Sequence, residues 1–145
     1  MTKITYLEAV KIQARAVVPI VRALEKELGK SKAHELVGQA IAESWADFTV
    51  SRSEPAPDPR GNGQNSFPTT RVIAKDVDDE YAVNMTHCAF ADYFKQINEP
   101  EIGALITCGV DYAVEERMRP DWDFKRTQTL MQGAEHCDFC WTRKS

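Results

Sequence analysis

Arg71-Val-Ile-Ala-Lys-Asp-Val-Asp-Asp-Glu-Tyr-Ala-Val-Asn-Met-Thr-His87 decides the fold, because two alternating apolar runs flank an acidic turn at Asp78 and Asp79. A period of two with β-branched and aromatic residues reads as strand, so the spacing predicts a hairpin over 71–76 and 80–87. In its second arm Tyr81, Val83, Met85 and His87 share one face, and Ala82, Asn84, Thr86 and Cys88 share the other.

Downstream, a short helix is expected from about Ala89 to Ile97, and Pro100 suits the first turn of a longer helix reaching about Met118. Two further strands, 124–131 and 137–142, are expected around a turn at Gln132-Gly133. Upstream, Leu7, Val10, Ala14, Val17, Val21, Leu24 and Leu28 recur by three and four positions over 5–29, a helical stripe. Thr5 and Glu8 fit a capping box, Gly29 fits a left-handed stop, and Pro19 predicts a kink or break. A second helix over about 31–50 would turn Ala33, Leu36, Val37, Ala40, Ile41, Trp45 and Phe48 inward. The stripe of the first helix serves either simple packing or a homo-oligomer seam through the N-terminal helix.

The whole chain of 145 residues is expected to be one α+β domain: an N-terminal helix pair plus a four-stranded antiparallel sheet covered by helices, ββααββ in its C-terminal part. Residues 1–50 form a helical scaffold, and 71–145 carry the chemistry. Between them, 51–70 holds several prolines and glycines without apolar periodicity, a flexible connector or a lid. A formal charge of -4 disfavours nucleic acid and anionic membrane surfaces as partners. No apolar run is long enough to span a bilayer. Met1-Thr-Lys-Ile-Thr5 leads straight into a helical pattern without a signal-like block, so a cytoplasmic setting is expected. There the four cysteines would remain thiols.

Reactive groups concentrate in the last third. Cys108 and Asp111 stand three apart on the expected long helix, with Glu115 one turn on. Arg126 falls within an expected strand, where it is either a surface residue or a bidentate clamp on a carboxylate. Cys137-Asp-Phe-Cys140 has the spacing of half a zinc site; as a strand its sulfurs diverge, and only a turn would let them share a metal. His87 beside Cys88, and His136 beside Cys137, diverge in the same way on strands, so a thiol would have to find its base across the fold.

Taken together, several of these segments resemble the L-2-amino-thiazoline-4-carboxylic acid hydrolase family. They are Cys88 before a short helix, Glu99-Pro-Glu-Ile-Gly103, Ile106-Thr-Cys-Gly-Val-Asp111, Phe124-Lys-Arg-Thr-Gln-Thr-Leu130, Gly133, and Cys137-Asp-Phe139. Cys140 departs from the pattern. The resemblance implies a cysteine-containing hydrolase that opens a small carboxylated cyclic amidine to an N-carbamoyl amino acid, with no cofactor and no metal. It implies that Asp111, backed by Glu115, orients the amidine nitrogens, and that Arg126 holds the substrate carboxylate with help from Thr127 and Thr129. The nucleophile is a thiolate or an activated water; among the thiols Cys108 ranks first, then Cys137 and Cys88, with Arg126 or His87 as the positive neighbour. The alternative is a non-catalytic domain of the same fold that senses a small ligand or a metal.

Overall fold

A computed structural model describes residues 3–52, 56–61 and 67–145. Two long helices, α1 (Tyr6–Leu28) and α2 (Lys30–Arg52), precede a hairpin of β1 (Thr69–Val77) and β2 (Glu80–Cys88). Then come α3 (Ala89–Gln96), α4 (Pro100–Gly103), a π-helical turn (Ala104–Cys108) and α5 (Asp111–Met118). The chain closes with β3 (Trp122–Lys125) and β4 (Cys137–Arg143). The four strands form one antiparallel sheet in the order β1-β2-β4-β3. This is the expected α+β architecture.

The capping box forms as predicted: Glu8 N–H donates to Thr5 Oγ1 at 3.1 Å, and Thr5 N–H donates to the Glu8 carboxylate at 2.7 Å. Gly29 ends α1 at φ 80, a value that favours glycine, although ψ 152 is extended rather than left-handed helical. Pro19 does not break α1, which runs through it. Val10, Ala14 and Val21 of the stripe are buried against Phe90, Phe94, Ile102 and Ile106, so the fold's own core occupies that face. The inward face of α2 differs from the expected one. Ala33 and Ala46 are buried and Val37 and Ile41 pack on the core, whereas Leu36, Ala40 and Phe48 are exposed.

The expected long helix from Pro100 to Met118 is instead interrupted. Thr107 Oγ1 donates back to Gly103 C=O at 2.8 Å, and Gly109 N–H reaches Ala104 C=O at 2.7 Å, five residues back. This widened turn shifts the helical phase and ends the first segment at Gly109. The expected strand over 124–131 also stops early, at Lys125. Beyond it, Asp138 accepts from the backbone N–H groups of Thr127 and Gln128, each at 2.9 Å, and from the Thr127 hydroxyl at 2.5 Å. A side chain thus takes donors that the ladder would have used. Thr129 then accepts from Gln132 N–H to open a 3-10 turn, and Gly133 closes it at φ 99, where the turn was expected.

The hairpin contains a register shift that changes which residues meet. Thr70 pairs with His87 but Arg71 pairs with Met85, so Thr86 is an extra residue in β2. The alternation of faces is broken there. Cys88 therefore joins Met85, Val83 and Tyr81 on the inner side, and His87 points to solvent. Of the expected connector over 51–70, residues 53–55 and 62–66 lie outside the described residues. Within it, Pro59–Gly61 forms a 3-10 turn whose Arg60 stacks over Tyr81 and pairs with Asp76 at 2.6 Å.

Candidate active site

Two apolar clusters face each other, one built on α1, α3 and α4, the other from Tyr81, Val83, Trp122 and Trp141 on the sheet. They do not meet everywhere. A cavity of about 730 Å³ lies between them, within the usual range for small-molecule sites.

Cys88, Cys108, Asp111, Glu115, Arg126 and Cys137 all line it. Spacing alone could not bring the three thiols together; the register shift in β2, the π-helical turn and the inner face of β4 do so. Arg126 does not lie mid-strand. It follows the last residue of β3 and folds over the wall, with its side chain 8% exposed. Its guanidinium sits 5.5 Å from the Tyr112 ring centroid and 5.4 Å from that of Phe139. Its Nη1 donates to Asp111 Oδ2 at 2.5 Å and its Nη2 donates to the Cys108 carbonyl at 2.9 Å. The Tyr112 hydroxyl donates to the Arg126 carbonyl at 2.9 Å. The arginine is thereby committed to fixing Asp111 and the end of the π-helical turn.

Asp111 opens α5 and keeps 36% of its side-chain surface, which faces the cavity rather than bulk water. Removal from bulk solvent raises its pKa to about 6; the charge and hydrogen bond of Arg126 oppose the rise and Glu115 adds to it. Glu115 is committed elsewhere, since its Oε2 accepts from Arg119 at 2.6 Å and from Trp141 Nε1 at 2.7 Å. It braces helix to sheet.

The thiols are all held protonated. Burial pushes Cys108 up to about 12, with Thr107 and Arg126 opposing and Asp111 adding. Burial also raises Cys88, against the nearby N–H groups of Ala91 and Phe90, and raises Cys137, whose Sγ accepts from Leu130 N–H at 3.2 Å.

Three expected substrate-binding residues lie away from the cavity. His87 is solvent-facing, with Nε2 2.8 Å from Asp92 Oδ2. Thr127 belongs to the Asp138 clip, and Thr129 is buried as the cap of the 3-10 turn. Cys137 and Cys140 fall on opposite faces of β4, and Cys140 Sγ lies 3.8 Å from Glu80 instead. Among the described residues no three His, Cys, Asp or Glu are grouped to hold a metal ion.

Other wall residues had no signal in the sequence. Tyr6 of α1 and Trp45 of α2 reach the cavity, so the N-terminal helices are not merely scaffold. Tyr6 stacks edge-on with Phe67 at 5.2 Å and Phe90 at 5.6 Å, and burial together with the charge of Asp111 raises its phenol pKa. Arg71 of β1 also lines the cavity. Such residues read as ordinary positions in a helix or a strand, and only the fold gives them a common neighbour.

Comparison with known proteins gives three findings. The family model described as L-2-amino-thiazoline-4-carboxylic acid hydrolase matches residues 9–141. No curated protein matches the chain. Among solved structures, the phenol-responsive sensory domain of the transcription activator PoxR with phenol is similar at a TM-score of 0.46 and 12% identity, over 88% of this chain and 73% of that one.

Proposed function

The chain belongs to the L-2-amino-thiazoline-4-carboxylic acid hydrolase family, and from that premise we propose that it hydrolyses a small carboxylated cyclic amidine, with Asp111 as the base that activates water. The observation that carries this reading is the Asp111–Arg126 pair on the wall of a largely apolar cavity. A carboxylate with a pKa of about 6 is mostly ionised at neutral pH yet basic enough to take a proton. Arg126 holds it in one orientation, and its cavity-facing surface is free to meet water or an amidinium N–H.

With 2-amino-thiazoline-4-carboxylate the step balances simply. The water oxygen bonds to the ring carbon between nitrogen and sulfur, and a water proton passes to Asp111. The C=N π pair moves onto the ring nitrogen as oxygen adds. The carbon–sulfur bond then breaks with its electron pair on sulfur, and Asp111 returns its proton there. The remaining hydroxyl proton passes to the ring nitrogen, leaving the thiol and the urea of N-carbamoyl cysteine. Cys108 offers a weaker route, because a thiol raised to about 12 supplies almost no thiolate at neutral pH. In this reading the three thiols are neutral, polarisable wall.

The test is turnover of 2-amino-thiazoline-4-carboxylate by the wild-type, Asp111→Asn and Cys108→Ala proteins. Asp111→Asn is expected to lose about 10²- to 10⁴-fold in kcat, the usual worth of a general base, while Cys108→Ala keeps at least about a tenth. A Cys108→Ala protein as inactive as Asp111→Asn would move the nucleophile to sulfur. A second reading is a non-catalytic ligand-binding domain using the same cavity, whose largely apolar wall suits a small ligand. It predicts stabilisation by ligand with no product.

A further inference from the structure

Three acidic and three basic residues line the cavity, but they do not all pair with one another, because Asp58 pairs with Arg60, which lies outside the lining. Asp111 is paired with Arg126, Glu115 with Arg119, and Asp58 with Arg60 at 3.3 Å. Arg71 remains. Among the described residues its guanidinium has neither an ion-pair nor a hydrogen-bond partner, although the residue is half-buried and lines the cavity.

Its aim is built into the sheet. Arg71, Met85 and Cys137 stand directly across from one another on β1, β2 and β4, and all three line the cavity. Arg71 therefore enters from the free edge of β1, two strand spacings or about 10 Å of backbone from Cys137. The register shift beside it lets Thr69 and Cys88, the preceding inward pair, face the same space. A guanidinium presented to an apolar cavity without a counter-charge favours an anion there, because burying it unpaired costs free energy that a carboxylate would return. Burial indeed draws its pKa below the ordinary value with no carboxylate to offset it.

We propose that Arg71, not Arg126, is the receptor for the ligand's carboxylate. The inference rests on the reading that this cavity is the substrate site, and it completes that site. Arg126 positions the base from one edge of the sheet, Arg71 anchors the anion from the other, and the heterocycle lies between them. The selected ligand class is a small monoanionic carboxylate with a compact apolar or heterocyclic body.

The experiment is calorimetric binding of 2-aminothiazole-4-carboxylate, whose aromatic ring resists hydration, and of its neutral carboxamide. Wild-type protein should bind the carboxylate about 10- to 100-fold more tightly than the carboxamide, the range expected for charge-assisted hydrogen bonds. Arg71→Gln should lose that preference while binding the carboxamide as before, and Arg71→Lys should recover part of it as a point charge. Thermal unfolding of each variant checks that the edge strand has formed. An Arg71→Gln protein that keeps the preference overturns the proposal. So does wild-type protein that does not discriminate or does not bind, or an Arg126→Gln variant that alone abolishes discrimination. Because binding is measured without turnover, an inactive wild-type protein that still discriminates through Arg71 would defeat the hydrolase reading and leave this one standing.

Discussion

Asp111 stands between opposing influences: separation from bulk water disfavours its charge, and the guanidinium of Arg126 favours it. Burial wins, and the acid stays protonated to about pH 6. Because the folded acid holds its proton more tightly than the unfolded one, its ionisation works against the fold. That cost accrues as pH rises from about 4 to about 6. An unfavourable charge kept on a cavity wall is what a working base requires. Asp138 is the contrasting residue. Burial opposes its charge too, but hydrogen bonds from Thr127 and Gln128 prevail and hold its pKa low. It accepts from two backbone N–H groups and a hydroxyl of the segment that follows Arg126, so Asp138→Ala is expected to cost about 1–3 kcal/mol. Chemical denaturation would measure the loss, and an unchanged midpoint would refute the clip. The sequence displayed Asp111, Arg126 and the three thiols as candidates because they are unusual where they stand. Arg71 looked like any strand arginine, and Thr127 and Thr129 looked like site hydroxyls when they are spent on turns.

At the scale of elements, the informative places are those where regular structure fails. The π-helical turn at Ala104–Cys108 sets Cys108 and Asp111 on the cavity from two different helical segments. The extra residue at Thr86 exchanges His87 for Cys88 on the inner face. The end of β3 at Lys125 frees Arg126 to fold over Phe139. None of these was legible, because periodicity presumes an unbroken period: an extra residue inverts every later facing, and Asp138 competes with the ladder from eleven residues away. Longer regular stretches were legible where they used one face. The α1 stripe up to Leu24 and its N-cap, the hairpin and the Gly133 turn stand as expected, whereas Leu28, the last residue of the stripe, is exposed. The α2 face was misjudged because that helix packs between α1 and α5 through small residues such as Ala33 and Ala46, not through Leu36 and Phe48. A test at this scale is Gly103→Ala. A Cβ there would lie 2.7 Å from Phe94 Cβ, so α3 and α4 must separate, at a cost of about 1–3 kcal/mol. A Tm within a degree or so of wild type would show that the junction is looser than described.

Across the whole molecule, helices and sheet enclose a cavity to which both halves of the chain contribute. The α+β class could be read from the order of periodic segments, since each needs a partner for its apolar face. The cavity could not, because a void leaves no pattern in sequence; Tyr6, Trp45 and Arg71 share it only through tertiary packing. At this scale the proposal is that the cavity is a hydrolytic site worked by an ionised Asp111. The most direct test is kcat/KM for 2-amino-thiazoline-4-carboxylate from about pH 4 to about pH 9, for wild-type protein and Asp111→Asn. A wild-type rate that falls as pH drops through about 6, when Asp111 takes up its proton, is expected, with an Asp111→Asn rate that is low and lacks that inflection. A rate that instead keeps climbing above about pH 8, with no inflection near 6, would contradict it and assign the chemistry to a thiolate.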